Sequence, residues 1–137
     1  MKVTCLQMNM KLGCPEENFA HAELLICNAM KDNSDVLVLP ETWNTGFFPK
    51  ENLTELSCRN GYEVNTCIGE LAKKYKVNIV AGSVSNVRGG KVYNTALFLI
   101  EMVYVLPNMI RRICLHFTKK HIRLKNFLSA TGETGEK

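Results

Sequence analysis

The chain has 137 residues, 46% hydrophobic and 22% charged, with 9 Gly and 4 Pro, which suits one domain and excludes fibrous, low-complexity and wholly disordered readings. Its net charge of +4 comes from 17 Lys and Arg against 13 Asp and Glu, a balance that taken whole hints at an acidic partner. Residues 1–100 hold 10 basic and 10 acidic side chains, so the entire excess lies in residues 101–137.

In chain order, Val3, Cys5, Leu6 and Met8, interrupted by Thr4, Gln7 and Asn9, predict a short strand rather than a signal peptide. A Gly13-Cys14-Pro15 break follows. Pro15 suits the first position of a helix, with Glu16 and Glu17 near the positive end of its dipole. Phe19, Ala22, Ile26, Ala29 and Met30 recur at helical spacing, and Asp32-Asn33-Ser34-Asp35 closes the helix. Val36-Leu37-Val38-Leu39 is a continuous apolar run, which predicts a strand covered on both faces. Pro40 opens a long irregular segment, Glu41 to about Gly61, that carries Trp43, Phe47 and Phe48. Val64, Cys67, Ile68, Leu71, Ala72 and Tyr75 mark a second amphipathic helix, ending in Lys73-Lys74-Tyr75-Lys76 at the negative end of its dipole. Val77 to Val84 reads as the next strand, Arg88-Gly89-Gly90-Lys91 as a turn, and Val92 to Ile100 as the returning arm of a hairpin. The order β-α-β-α-β-β defines an α/β layered fold.

The candidate chemistry sits at Leu37-Val38-Leu39-Pro40-Glu41-Thr42-Trp43. A carboxylate just past the end of a buried strand stands where open α/β sheets place catalytic groups. Trp43, Phe47 and Phe48 would desolvate Glu41, as a general base requires; the competing reading is an exposed loop glutamate. Cys5, Cys14, Cys27, Cys58, Cys67 and Cys114 contain no C-x-x-C spacing and follow no secretory segment, which predicts reduced thiols in a cytoplasmic protein; the first five are read as small buried hydrophobes. His21, His116 and His121 suggest no metal constellation. No apolar run approaches the roughly 18 residues of a membrane span.

The segment from Leu37 to Phe48 resembles the first catalytic motif of the nitrilase, or carbon–nitrogen hydrolase, superfamily, in which a Glu follows a strand and a Pro and precedes a Gly-aromatic pair. The resemblance extends to Met1-Lys2-Val3 with Gln7, to Ala81-Gly82-Ser83 and to Tyr93-Asn94-Thr95-Ala96, covering residues 1 to about 98, and is nearest to bacterial members acting on small ω-amides. It implies an α-β-β-α sandwich, assembled into at least a dimer, that hydrolyses non-peptide C–N bonds without metal or organic cofactor. By the same resemblance Glu41 is the general base of a Glu-Lys-Cys triad, the partner is a small amide, and neither nucleic acid nor membrane is expected.

The Lys and Cys of that triad are not present in matching context. Ile110-Arg111-Arg112-Ile113-Cys114 stands where the family carries a K-x-H-L-F-like motif, and Cys114 lacks the nucleophile's surroundings. Arg111, Arg112, Lys119, Lys120, Arg123 and Lys125, interleaved with Phe117 and Phe127, could form a nucleic-acid-binding stretch, but no recognised binding motif accompanies them. Back-translating Ile100 to Leu115 and reading one frame over can yield RNGVCIAEYDKTHLF, which contains the missing K-x-H-L-F. Residues 1–100 are therefore read as the N-terminal half of a carbon–nitrogen hydrolase domain, and 101–137 as an irregular basic tail, out of frame and truncated. The chain would then be an inactive fragment, the alternative being a non-catalytic interaction module or the product of a decaying gene.

Overall fold

The computed structural model describes residues 1–47 and 49–99 and the backbone of 114–115. The expectations placed on Phe48, on Ile100 and on the remainder of 101–137 lie outside the described residues.

The elements are β1 (Val3–Cys5), α1 (Pro15–Ala29), β2 (Val36–Val38), α2 (Leu53–Leu56), β3 (Cys58–Arg59), α3 (Tyr62–Tyr75), β4 (Asn78–Arg88), β5 (Lys91–Leu99) and β6 (Cys114–Leu115), with a 3-10 turn, Met30–Asp32, after α1. They form one sheet in the order β1-β2-β4-β5-β6, with β3 also pairing to β4. β1, β2 and β4 run parallel, while β4, β5 and β6 are antiparallel in turn. α1 starts at Pro15 with Glu16 and Glu17 in its first turn, and Asn33, left-handed at φ 52°, caps the 3-10 turn that follows. α3 carries Lys73 and Lys74 in its last turn and is capped by Lys76 at φ 51°. Gly89 and Gly90, at φ 56° and 72°, make the tight hairpin turn that lets Arg88 pair with Lys91. A two-residue hairpin needs both central residues at positive φ, which glycine reaches at no steric cost.

The structure departs from the sequence expectations in three places. β1 stops at Cys5, because after Leu6 donates its N–H to Val38 O (2.8 Å) the chain leaves the sheet, although Leu6 and Met8 remain buried. The segment expected to be irregular holds α2 and β3, and β3 lies parallel to the far end of β4, with Cys58 opposite Asn86. The third departure concerns β2, expected to be covered on both faces: Leu37 is fully buried, but Val36 and Val38 are only half-buried.

Strand order explains that last difference. The β1-to-β2 and β2-to-β4 connections both step in the same direction across the sheet, and right-handed crossovers then lay α1 and α3 on one face. On that side Leu37, Ile79 and Leu97 meet Ala22 and Ile26 of α1 and Val64 and Ile68 of α3 in the core. On the other side the register aligns Cys5, Val38, Val80 and Phe98, and Val3 and Phe98 stay 49% and 50% exposed. The described residues thus form one helical layer on one sheet.

Candidate functional site

Glu41 follows β2 after Leu39 and Pro40, on a loop that continues the β2 side of the sheet along the edge of β4. Leu39 N–H donates to Val80 O (2.9 Å), Thr42 N–H to Ser83 Oγ (3.2 Å) and the Trp43 indole N–H to Ala81 O (2.8 Å). Asn44 then takes the place of a neighbouring strand. Its Nδ2 donates to Ser85 O (3.0 Å) and its Oδ1 accepts from Ser85 N–H (2.9 Å), after which β3 takes over the pairing at Asn86 and Val87. A carboxamide has the donor and acceptor of a peptide group, so these side chains satisfy backbone groups that the gap between β2 and β3 would leave bare.

β4 accommodates the loop through a bulge. Val80 pairs with Phe98 but Ser83 with Ala96, so β4 holds one residue more than its partner over this stretch. Gly82 occupies the bulge at φ 58°, where a Cβ would stand 1.9 Å from Pro40 O and 2.6 Å from Leu39 O. Only glycine lets the backbone just before Glu41 approach this closely.

A second lock joins this loop to the one after β1. Buried Asn18 on α1 accepts from Lys11 N–H (2.7 Å) and donates to Lys11 O (2.8 Å) and Asn44 O (3.1 Å), while Gly13 N–H donates to Thr45 O (2.9 Å). The polar residues at 42, 44 and 45 are fully buried for this reason: the loop is a packed part of the domain.

On this platform Glu41 is exposed, and its Oε1 accepts a 3.0 Å hydrogen bond from Nδ2 of Asn94 on β5. Asn94 is only 2% exposed. Thr42, the next residue in the chain, adopts φ 48°, which is uncommon and costly for a β-branched side chain, and its buried Oγ1 has no hydrogen-bond partner among the described residues. Strain and an unpaired polar atom beside an exposed carboxylate are features that concentrate at functional sites.

The aromatic shelter expected around Glu41 does not form among the described residues. Trp43 is fully buried and packs edge-on against Phe19 at a centroid distance of 4.7 Å, while Phe47 points away from the core at 62% exposed. The indole contributes more by filling the core and capping Ala81 O than it would by standing over the carboxylate. Its N–H finds a buried acceptor there.

The cysteines also depart from the expectation that the first five are small buried hydrophobes. Cys58 alone is buried among those described; Cys14, Cys27 and Cys67 are half-covered, and Cys5 is exposed on the bare sheet face. Burial, reinforced by the negative charge of Glu63, pushes the Cys58 thiol from an ordinary value of 9.0 up to about 12. Burial also raises Cys67, with Glu23 and Glu63 adding to it. Neither is activated as a thiolate nucleophile. Among the described residues, no lysine or cysteine shares a hydrogen bond or ion pair with Glu41.

The Cys58 shift has a measurable consequence. The thiol holds its proton more tightly in the folded chain, so its contribution to stability is complete below pH 9 and is lost as pH rises toward 12. Unfolding free energy is expected to fall over that interval, by at most roughly 1.4 kcal/mol per pH unit from this group. Urea titrations at several pH values should show this slope flattened in Cys58→Ala, and an unchanged slope would rule out the assignment.

Sequence reasoning singled out Glu41 and quoted Ser83 within Ala81-Gly82-Ser83, but it did not name Asn18, Asn44 and Ser85, which hold the loop in place. Asn94 lay within the quoted Tyr93-Asn94-Thr95-Ala96 segment, but its pairing with a carboxylate 53 residues away had no local signal.

Comparison with known proteins completes the description. Residues 2–133 match the family model described as carbon–nitrogen hydrolase. The 2-oxoglutaramate amidase of Bacillus subtilis is 35% identical over 133 residues, covering 97% of this chain and 49% of that protein. A hydrolase in the agr operon of Staphylococcus aureus is 41% identical over 96 residues, covering 70% of this chain and 36% of that protein. The chain therefore spans about half, or less, of the length of these curated relatives. In fold it is similar to a nitrilase-superfamily protein of Saccharomyces cerevisiae, with a TM-score of 0.64 and 24% identity over 74% of this chain and 40% of that one.

Proposed function

This chain belongs to the carbon–nitrogen hydrolase family, and from that premise we propose that Glu41 is the general base of a site that hydrolyses the C–N bond of small amides. The observation that carries the reading is the exposed carboxylate at the C-terminal end of a parallel strand, oriented by a buried amide. In this reaction Glu41 takes the proton of a cysteine thiol and the thiolate attacks the amide carbon. The tetrahedral intermediate collapses as Glu41 returns the proton to the departing amine, leaving a thioester. Glu41 then deprotonates a water that cleaves the thioester and frees the thiol. A lysine completes the triad by stabilising the charged intermediate.

The described cysteines do not supply that nucleophile, so this chain on its own is expected to be inactive. Triad members act as a unit, and loss of one removes most of the rate. The assay is ammonia release from 2-oxoglutaramate, the amide named for the Bacillus relative. Wild type and Glu41→Gln should both fail to release ammonia. Release that Glu41→Gln abolishes would reveal a nucleophile outside the described residues, whereas release that Glu41→Gln leaves intact would remove Glu41 from the mechanism.

The bare sheet face with Val3 and Phe98 favours a second reading, a non-catalytic module that covers this face with a partner or a second copy. No ammonia release together with a cooperative melt supports that module. The reduced cysteine that the family reaction requires points to a cytoplasmic location for the whole enzyme. Residues 101–137 are read as codons out of frame, on the strength of the back-translated K-x-H-L-F. The nucleotide sequence decides this, since a frame that lacks K-x-H-L-F ends the idea.

A further inference from the structure

We propose that Asn94 is a positioning residue that fixes the rotamer of Glu41 and so decides where its free carboxylate oxygen points. The inference rests on the general-base reading of Glu41 and adds a residue to that site.

The two ends of the Asn94 amide are not equivalent toward a carboxylate. An ionised carboxylate only accepts hydrogen bonds, so the Asn94 carboxamide must present Nδ2, and not Oδ1, to Glu41. The structure has this orientation, with Nδ2 3.0 Å from Oε1. The consequence is that Oδ1, on the same amide, is buried and has no hydrogen-bond partner among the described residues. The amide thus serves Glu41 with its donor while its own oxygen stays unpaired, an arrangement that calls for a reason beyond packing.

The placement of Asn94 gives the contact its precision. Asn94 lies opposite Ser85 in the β4–β5 register, and Ser85 is bonded through its N–H and C=O to Asn44 of the Glu41 loop. Both partners of the Glu41–Asn94 bond are therefore referenced to the same strand position. A loop carboxylate left exposed without such a tie would exchange among side-chain rotamers, and a general base must stay within hydrogen-bond reach of the proton it takes. With Oε1 held by Asn94, Oε2 is the oxygen left to act.

The test uses the chain itself, selectively labelled for NMR. In wild type, the Hα–Hβ couplings of Glu41 should report one rotamer, and the Asn94 Nδ2 protons should exchange slowly. Asn94→Leu, similar in shape without a donor, should average the Glu41 couplings while the backbone spectrum stays native. Asn94→Ser, which keeps a donor, should restore them in part. Couplings that remain those of a single rotamer in a folded Asn94→Leu would overturn the proposal. Because Asn94 is buried, a complementary variant is made at the exposed partner: Glu41→Ala should speed exchange of the Asn94 Nδ2 protons by about tenfold. Unchanged exchange would refute the contact even if Asn94→Leu does not fold. None of these readouts needs turnover, so the positioning role and the general-base role can fail separately.

Discussion

In a chimera that joins residues 1–99 of this chain to everything in the Bacillus subtilis 2-oxoglutaramate amidase that follows the segment matching them, Glu41→Gln is expected to lower kcat for ammonia release by about 10²–10⁴-fold. The chimera supplies the relative's counterpart of residues 100–137 together with the half of that protein that this chain does not match. The magnitude is that of a positioned general base, and it falls on kcat because proton transfer is made only on the way to the transition state. Glutamine keeps an oxygen that can accept from Asn94 Nδ2, and Glu41 is exposed, so the variant should melt as the parent does. KM should change little for the same reason. A chimera that turns over and loses less than about twofold in kcat on this substitution would exclude Glu41 as the base. The comparison isolates one proton-transfer group on an intact scaffold, which activity of the chain alone cannot do.

The second large effect is structural and lies behind the site. Gly82→Ala is expected to destabilise the chain by more than about 3 kcal/mol, beyond the usual range for a single substitution. Two costs combine. An alanine at φ 58° adopts the left-handed region, worth roughly 1–2 kcal/mol by itself. Its Cβ would also be 1.9 Å from Pro40 O, and backbone cannot give way there as a flexible side chain would. To relieve that overlap the Leu39–Pro40 segment has to leave β4, which breaks the 2.9 Å bond from Leu39 N–H to Val80 O and carries Glu41 away from Asn94. Urea denaturation and an amide fingerprint spectrum report both effects together. A Gly82→Ala chain as stable as wild type, with native signals at Glu41 and Asn94, would show that the bulge is not what seats the loop.

Both expectations depend on the gap between β2 and β3, where side chains continue a sheet that backbone alone does not complete. Asn44 stands in for a strand, Trp43 caps Ala81 O, and Asn18 ties in the loop that follows β1. Local reading could not show this. Asn44 and Thr45 sit in a polar, aromatic-rich stretch that looks like surface loop, and nothing within a few residues of them indicates that Ser85 needs partners. Trp43 shows the same limit in reverse. Its proximity to Glu41 in sequence suggested a desolvating wall, but Phe19 and the sheet edge compete for the ring, and burial in the core wins.

By itself the sequence determined the two long helices, the hairpin and the family. Helical spacing at Ala22 and Ile26, and again at Val64, Ile68 and Ala72, marks residues that the fold does bury. The two glycines at 89 and 90 dictated the hairpin, and a Glu after an apolar strand and a Pro singled out the candidate Glu41. These signals are local: a period, a turn or a strand end needs only neighbouring residues to express its chemistry. The tertiary structure decided the rest, namely which face of β2 is less covered among the described residues, why Gly82 has no substitute and which residue bonds Glu41. Those outcomes follow from strand order and from a register that brings together residues 41 and 94, 53 positions apart in the chain. A hydrogen bond across that distance exists only after the sheet has been built.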